Sequence, residues 1–316
     1  MTNTIVIRLS ALGDVAILIP VLYSVANRYP EDRFMMVTKS QFAGIFVNKP
    51  ANLRIIPIDT KLKHKGIAGL MRFVKELKQK TDKSDAIRIA DMHGLLRSSA
   101  IRLYFSITGA ETAEIDKGRV EKERLTRTEN KILTPLKTSL ERYQEVFEKI
   151  GYNAEIDFQP FFRRKNKNAE TRIGIAPFAK YRGKTYPIEK MQEVLKQLSE
   201  RQNTHIYLFG GKAEAHQLSA WAKKYPNMET VAGGKMSFPE ELHLMSEMDI
   251  MLTMDSANMH LASLVGTPVV SVWGATHPFA GFYGFRQDLS NVIQLDLPCR
   301  PCSVFGSKPC LRGDYV

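Results

Sequence analysis

Short runs of buried-strand character alternate with amphipathic helical runs along the whole chain, and this alternation limits the fold more than any other feature. In the first half, Thr4–Leu9, Phe34–Thr38, Ile55–Ile58 and Ala86–Ala90 read as strands, separated by helical stretches such as Asp14–Tyr29, Ile67–Lys80 and Leu140–Ile150. Arg172–Ala176, His205–Phe209, Ile250–Met254 and Val269–Trp273 repeat the pattern in the second half. Strands apolar on both faces, each followed by a helix, predict parallel sheets covered on both sides. Two such series in 316 residues predict an α/β protein of two doubly wound domains. The boundary is placed at 165/166, in the polar, basic stretch that follows Gln159, giving domains 1–165 and 166–316. Open parallel sheets bind ligands beyond the carboxyl ends of their strands. With two sheets facing each other, the active site is expected in the cleft between them.

Charge narrows the partners. The chain carries 45 Lys+Arg and 33 Asp+Glu, of which 29 and 19 fall in residues 1–165. The excess of the first half predicts an anionic partner there. Its clusters are Lys61-Leu62-Lys63-His64-Lys65 and the stretch from Lys117 through Arg127 to Arg142. The second is interleaved with Glu121, Glu123 and Glu129 and has no stacking aromatics, which argues against a nucleic-acid groove. No apolar run reaches the roughly 18 residues of a membrane span, and a strand begins at Thr4, so a cytoplasmic protein without a secretory leader is expected. Cys299, Cys302 and Cys310 offer three thiols without a fourth ligand; no metal site is predicted, and the role of the three is left open.

Four strand ends carry residues suited to chemistry. Gly13 and Asp14 follow the first strand, where a carboxylate could take a proton from a hydroxyl or could serve only as a helix cap. Neither a dinucleotide fingerprint nor a Walker loop is present there. Asp255, Ser256 and Ala257 open a helix after a strand, a place for an anion or for an ordinary cap, with Met259 and His260 one turn on. Lys180, Arg182 and Lys184 lie in a strand-to-helix loop and could neutralise a diphosphate leaving group or form only a solvated basic loop. Glu214, after Gly210-Gly211, could bind ribose hydroxyls or act as a first-turn acid.

Together these segments resemble the heptosyltransferases of bacterial lipopolysaccharide synthesis, glycosyltransferase family nine. Arg8-Leu9-Ser10-Ala11-Leu12-Gly13-Asp14-Val15 is similar to the family's opening segment, and Asp91-Met92-His93-Gly94-Leu95-Leu96-Arg97-Ser98 to a first-domain motif, with His93 in place of Gln. Lys184-Thr185-Tyr186-Pro187, Lys235-Met236-Ser237 and Asp255 through His260 resemble donor-binding segments, with Ala257 where Gly is usual.

The resemblance implies a GT-B fold and an inverting transfer of heptose from ADP-heptose to the acidic inner core of lipopolysaccharide. It implies Asp14 as general base and Lys184 on the donor phosphate. Donor binding would fall to Glu214, Met236, Asp255, Ser256, Ala257, Met259 and His260. Acceptor binding is expected from Gly13, Lys61, Lys63, Arg97 and Arg142. No cofactor is expected beyond Mg2+ accompanying the donor diphosphate. The implied partners are the nucleotide sugar and a lipid A-linked acceptor, with peripheral contact at the cytoplasmic membrane face and no nucleic acid. The rival readings are a nucleotide-sugar 2-epimerase of the same fold and a non-catalytic basic binding protein.

Overall fold

The computed structural model describes residues 1–81, 85–163, 169–310 and 312–314. It divides into two units, Met1–Lys117 with Ser139–Gln159, and Gly118–Thr138 with Pro160–Val316.

The first unit holds β1 (Thr2–Ile7), α1 (Leu12–Arg28), β2 (Arg33–Lys39), β3 (Leu53–Ile58), α2 (Gly66–Gln79), β4 (Ala86–Asp91), α3 (Leu96–Ile107) and β5 (Glu111–Glu114). All strands are parallel, in the order β3-β2-β1-β4-β5. Side chains alternate across each strand, so register decides which residues share a face. Ile5 pairs with Met35, and Ile7 with Val37. These join Ile56, Ile58 and Ile89 beneath Phe73, Val74 and Leu77 of α2 and Ile101 and Phe105 of α3. Thus α2 and α3 cover one face of the sheet.

The second unit begins with α4 (Arg119–Thr126); α5 (Ser139–Lys149) then returns to the first. It continues through β6 (Thr171–Ala176), α6 (Ile188–Ser199), β7 (Thr204–Leu208), α7 (Ala215–Ala222), β8 (Met228–Thr230), α8 (Phe238–Ser246), β9 (Ile250–Met254), α9 (Ala257–Leu264), β10 (Val269–Trp273) and β11 (Val292–Gln294). Its parallel sheet has the order β11-β10-β9-β6-β7-β8. In both sheets the strand order reverses beside the first strand, at β1/β4 and at β6/β9. Such a switch point opens a crevice at the carboxyl ends of two neighbouring strands.

The expected single cut at 165/166 falls within 164–168, outside the described residues, and the division differs from it upstream. Segment 118–138 belongs to the second unit because its contacts lie there. The Leu136 amide donates to the Phe279 carbonyl at 2.9 Å. Lys131 Nζ donates to the carbonyls of Cys299 and Pro301 at 2.7 and 3.0 Å, and the Lys122 ammonium sits 4.6 Å from the Phe282 ring centroid.

This changes the charge argument. Residues 118–138 and 160–165 carry nine basic and three acidic side chains out of the first half. The first unit then has 20 Lys+Arg against 16 Asp+Glu, and the second 25 against 17. The larger excess lies in the second unit, +8 against +4, contrary to the expectation from sequence halves.

Candidate active site

Arg8 is the first residue beyond β1, and its amide continues the ladder to the Val37 carbonyl. Its buried guanidinium donates through Nη1 to the Met92 carbonyl and pairs through Nη2 with Asp14 Oδ2, both at 2.6 Å. The Tyr143 ring centroid lies 5.9 Å from the guanidinium carbon. Burial opposes the Arg8 charge, but Tyr143, Asp14 and Asp91 outweigh it and leave the group more basic than an ordinary arginine. Asp14 is the third residue of α1 and turns back to accept the Ala11 amide at 2.9 Å. One carboxylate oxygen thus serves as both a helix cap and an ion-pair partner. Its side chain remains 23% exposed. The Tyr143 hydroxyl donates to the Asp14 carbonyl at 3.3 Å, so α5 holds the same turn. Gly13 precedes Asp14 in the first turn, half-buried.

The end of β4 completes this side of the switch point. Buried Asp91 accepts the amides of His93 and Gly94 through Oδ1, both at 2.9 Å. Gly94 takes the left-handed conformation at φ +55°, and Lys117 Nζ donates to its carbonyl at 2.9 Å. A side chain there would crowd Glu114 and Lys117, so the tight turn requires glycine. His93 is buried, and its Nδ1 finds no hydrogen-bond partner among the described residues. Burial, followed by the charges of Arg8 and Lys117, pulls its pKa down to about 4, so the imidazole is neutral at pH 7.

The remaining first-unit residues are distributed around this end of the sheet. Lys61 and Lys63 are exposed in the loop after β3, where Asp59 Oδ1 accepts the Lys61 and Leu62 amides at 3.0 Å. Those backbone bonds hold the Asp59 carboxyl below its usual range. Lys63 Nζ pairs with Glu76 at 2.9 Å beside a cavity of about 390 Å3. Arg97 lies half-buried in the first turn of α3. Arg142, expected among the acceptor-binding cations, is instead buried and donates to the Asp116 carbonyl at 3.1 Å.

The second switch point brings together residues far apart in sequence. Lys184, in a 3-10 turn after β6, pairs through Nζ with Oδ2 of Asp255, the first residue after β9, at 2.8 Å. Thr276, beyond β10, donates to the same oxygen at 2.7 Å. Asp255 is buried, its side chain 4% exposed. Ser256 stands at the N-cap of α9 but its hydroxyl makes no cap; it is buried without a hydrogen-bond partner among the described residues. Ala257 starts the helix, and Met259 and His260 are buried in its first turns. The amides opening α9 therefore stand beside a lysine and an unused hydroxyl, an arrangement suited to an anion. Glu214 occupies the N-cap position of α7 after β7 without a side-chain capping bond, its carboxylate close over Gly211, and half-buried Met236 follows β8. All these ends lie on one edge of the parallel sheet.

Arg8, His93, Thr276 and Arg300 were not assigned roles from sequence. Arg8 stood within a quoted motif, and a charge directly after a buried strand is a readable signal. Thr276 and Arg300 gave none. Buried Arg300 donates to the carbonyls of Thr276 at 2.8 Å and of Gly274 and Leu295, shaping the loop that carries Thr276. The three cysteines are free thiols, and burial raises the pKa of Cys302. Among the described residues no group of three or more His, Cys, Asp or Glu is arranged to hold a metal ion. The Cys299–Cys302 segment instead meets its neighbours through the backbone, with the Cys302 amide donating to the Ala275 carbonyl at 3.1 Å.

The family described as glycosyltransferase family 9 (heptosyltransferase) matches residues 71–309. Lipopolysaccharide heptosyltransferase 1 of Pseudomonas aeruginosa is 24% identical over 314 residues, covering 95% of this chain and 86% of that one. The lipopolysaccharide core heptosyltransferase OpsX of Haemophilus influenzae is 24% identical over 294 residues, 86% of this chain and 79% of its own. Among solved structures, a family 9 glycosyltransferase from Veillonella parvula superposes with a TM-score of 0.70 at 18% identity, covering 93% of this chain and 86% of that one. The E. coli heptosyltransferase WaaC with ADP gives 0.67 at 19% identity and 92% of each chain. At these identities the structures show the fold, two parallel α/β sheets of the GT-B type. With the match spanning most of the chain, the protein is a glycosyltransferase and belongs to glycosyltransferase family 9, the heptosyltransferases.

Proposed function

We propose that the protein transfers heptose from ADP-heptose to the acidic inner core of lipopolysaccharide, inverting the anomeric carbon. The observation that carries this reading is the Arg8–Asp14 pair at the first switch point, a partly exposed carboxylate fixed by a buried cation. The names of the Pseudomonas and Haemophilus relatives support the acceptor class, and the WaaC structure with ADP supports the nucleotide.

In the proposed step the acceptor hydroxyl gives its proton to Asp14 as its oxygen bonds to the anomeric carbon. The bond from that carbon to the diphosphate oxygen breaks, and the electron pair leaves with ADP. Arg8 fixes the carboxylate where the proton must arrive, which is catalysis by positioning. Lys184, the Ser256 hydroxyl and the amides opening α9 from Ala257 receive the charge that develops on the diphosphate. Asp255 orients Lys184 rather than touching phosphate, because its Oδ2 already holds Lys184 and Thr276. Glu214 binds ribose and Met236 packs on adenine, while buried Met259 and His260 support the helix start. Gly13, Lys61, Lys63 and Arg97 face the acceptor phosphates and sugar acids; Arg142 braces the loop behind them.

Mg2+ enters only with the donor diphosphate. Among the described residues no helix is long and apolar enough to cross a membrane, and the proposed place of work is the cytoplasmic face of the inner membrane.

The test is transfer from a panel of nucleotide sugars to heptose-deficient lipopolysaccharide, with the product linkage read by NMR. Transfer from ADP-heptose with inversion is expected. Transfer from a different nucleotide sugar alone, or epimerisation of a donor without transfer, would sink the proposal.

A further inference from the structure

We infer that the outer faces of α2 and α3 form a surface that docks on an anionic phospholipid bilayer. The inference deepens the proposed function, on which it rests for what the bilayer supplies, a lipid-anchored acceptor.

The first observation is an apolar stripe on α3. Leu96, Ala100, Leu103 and Ile107 follow four-, three- and four-residue steps, so they share one side of the helix. That side lies opposite Ile101 and Phe105, the residues buried against the sheet. All four are exposed, Leu96 to 93% and Ile107 to 78%. An ordinary surface helix points charges outward and leucines inward; this one carries apolar residues on both sides.

The second observation is the composition of the neighbouring helix and its approach loop. α2 covers the same face of the sheet, and its Lys78 ammonium lies 5.8 Å from the Tyr104 ring centroid of α3. Residues 59–81 hold seven lysines and arginines but only two acids, Asp59 and Glu76. Asp59 accepts amides of its own loop, and Glu76 pairs with Lys63 and His64. Leu62 and Ile67 stand exposed among those cations, each to at least 80%. Exposed aliphatic side chains set among lysines are the chemistry of an interfacial surface: cations attract anionic headgroups while the apolar groups enter the acyl boundary.

Charge selects this occupant over a second copy of the chain. A twofold contact would bring this cationic face against itself. Position fits too. Leu62 lies in the loop after β3 and Leu96 opens α3 just beyond His93, so one end of the face borders the carboxyl edge where Asp14 stands.

The test is cosedimentation of the full chain, without donor, with vesicles of phosphatidylglycerol and phosphatidylethanolamine, and separately with phosphatidylcholine alone. Two double variants avoid the residues assigned to acceptor binding: Leu103→Ser with Ile107→Ser, and Arg72→Glu with Lys75→Glu. All four side chains are exposed, so melting temperatures should match wild type. Wild type should bind the anionic vesicles in a salt-sensitive manner and leave the neutral ones, and each double variant should lose binding about tenfold or more. Transfer to a delipidated core oligosaccharide should be unchanged in both.

Failure of wild type to bind anionic vesicles, or variants that bind like wild type, overturns the surface assignment and leaves the transferase reading standing. A dimer in light scattering that Leu103→Ser with Ile107→Ser dissolves overturns it in favour of a second copy. Vesicle binding as expected, with no transfer to either acceptor, overturns the proposed function and supports the surface.

Discussion

The two sheets reverse their strand order at the same place, and each sets a carboxylate–cation pair there, yet the two pairs differ in surroundings. In the first unit the cation is the buried partner: Arg8 is enclosed by Met92 and Tyr143, while the Asp14 side chain keeps 23% of its surface. In the second the carboxylate is enclosed, with Asp255 held by Lys184 and Thr276, and Lys184 the more exposed member. A common topology thus leaves the carboxylate the more exposed member of the pair on one sheet and the ammonium the more exposed member on the other. The difference follows from where each acid sits. Asp14 lies in the third position of a helix and turns back to its N-cap, whereas Asp255 lies at the strand end, beneath the loop that Arg300 shapes.

The most damaging change to this contrast should be Asp14→Asn. Transfer should fall about a hundred- to ten-thousandfold, as expected for loss of a general base, when followed in single-turnover assays. Stability should drop by about 1–3 kcal/mol, more than a lost cap alone, because Arg8 keeps a buried charge with one charged partner fewer. Denaturant titration measures that part.

Lys184→Ala should lower turnover by about a hundred- to thousandfold while weakening nucleotide affinity less, since the developing diphosphate charge needs it most in the transition state. Equal losses in both would make Lys184 a simple binding residue.

His93→Gln sharpens the electrostatic side. A histidine whose folded pKa is about 4, against 6.5 when unfolded, favours folding fully above pH 6.5 and loses that contribution as pH falls toward 4. The variant should therefore lose less stability between neutral and acid pH than wild type, by up to about 3 kcal/mol. Identical pH dependence of the two proteins would remove His93 from the charged cluster.

The smallest effect belongs to the loop after β3. Lys61→Ala with Lys63→Ala should raise the acceptor KM by roughly threefold to tenfold at low salt, with the donor KM unchanged. A shift in the donor KM instead would contradict the assignment of acceptor contacts to the first unit.

The central strands were legible because they are buried on both faces and so read as continuous apolar runs, as in Ile5-Val6-Ile7. β5, β8 and β11 were missed: Glu111–Glu114, Met228–Thr230 and Val292–Gln294 are three or four residues long and have no apolar run to detect. The crossing of 118–138 into the second unit left no periodic trace, because backbone carbonyls and one cation–π contact hold it. That crossing also misled the charge count. Asp14 and Asp255 could be found because strand-to-helix junctions are readable, but their partners could not. Lys184 meets Asp255 only through the strand order, and Arg142 looked like a surface cation until α5 folded it against Asp116.

The division of labour between the two carboxylates is tested most directly by calorimetric ADP binding and single-turnover transfer on Asp14→Asn and Asp255→Asn, each confirmed as folded. Asp255→Asn should release Lys184 and weaken ADP binding about tenfold or more. Asp14→Asn should bind ADP within about twofold of wild type while its transfer falls at least about a hundredfold. Transfer by Asp14→Asn within about threefold of wild type, or equal loss of ADP affinity in the two variants, would contradict the account.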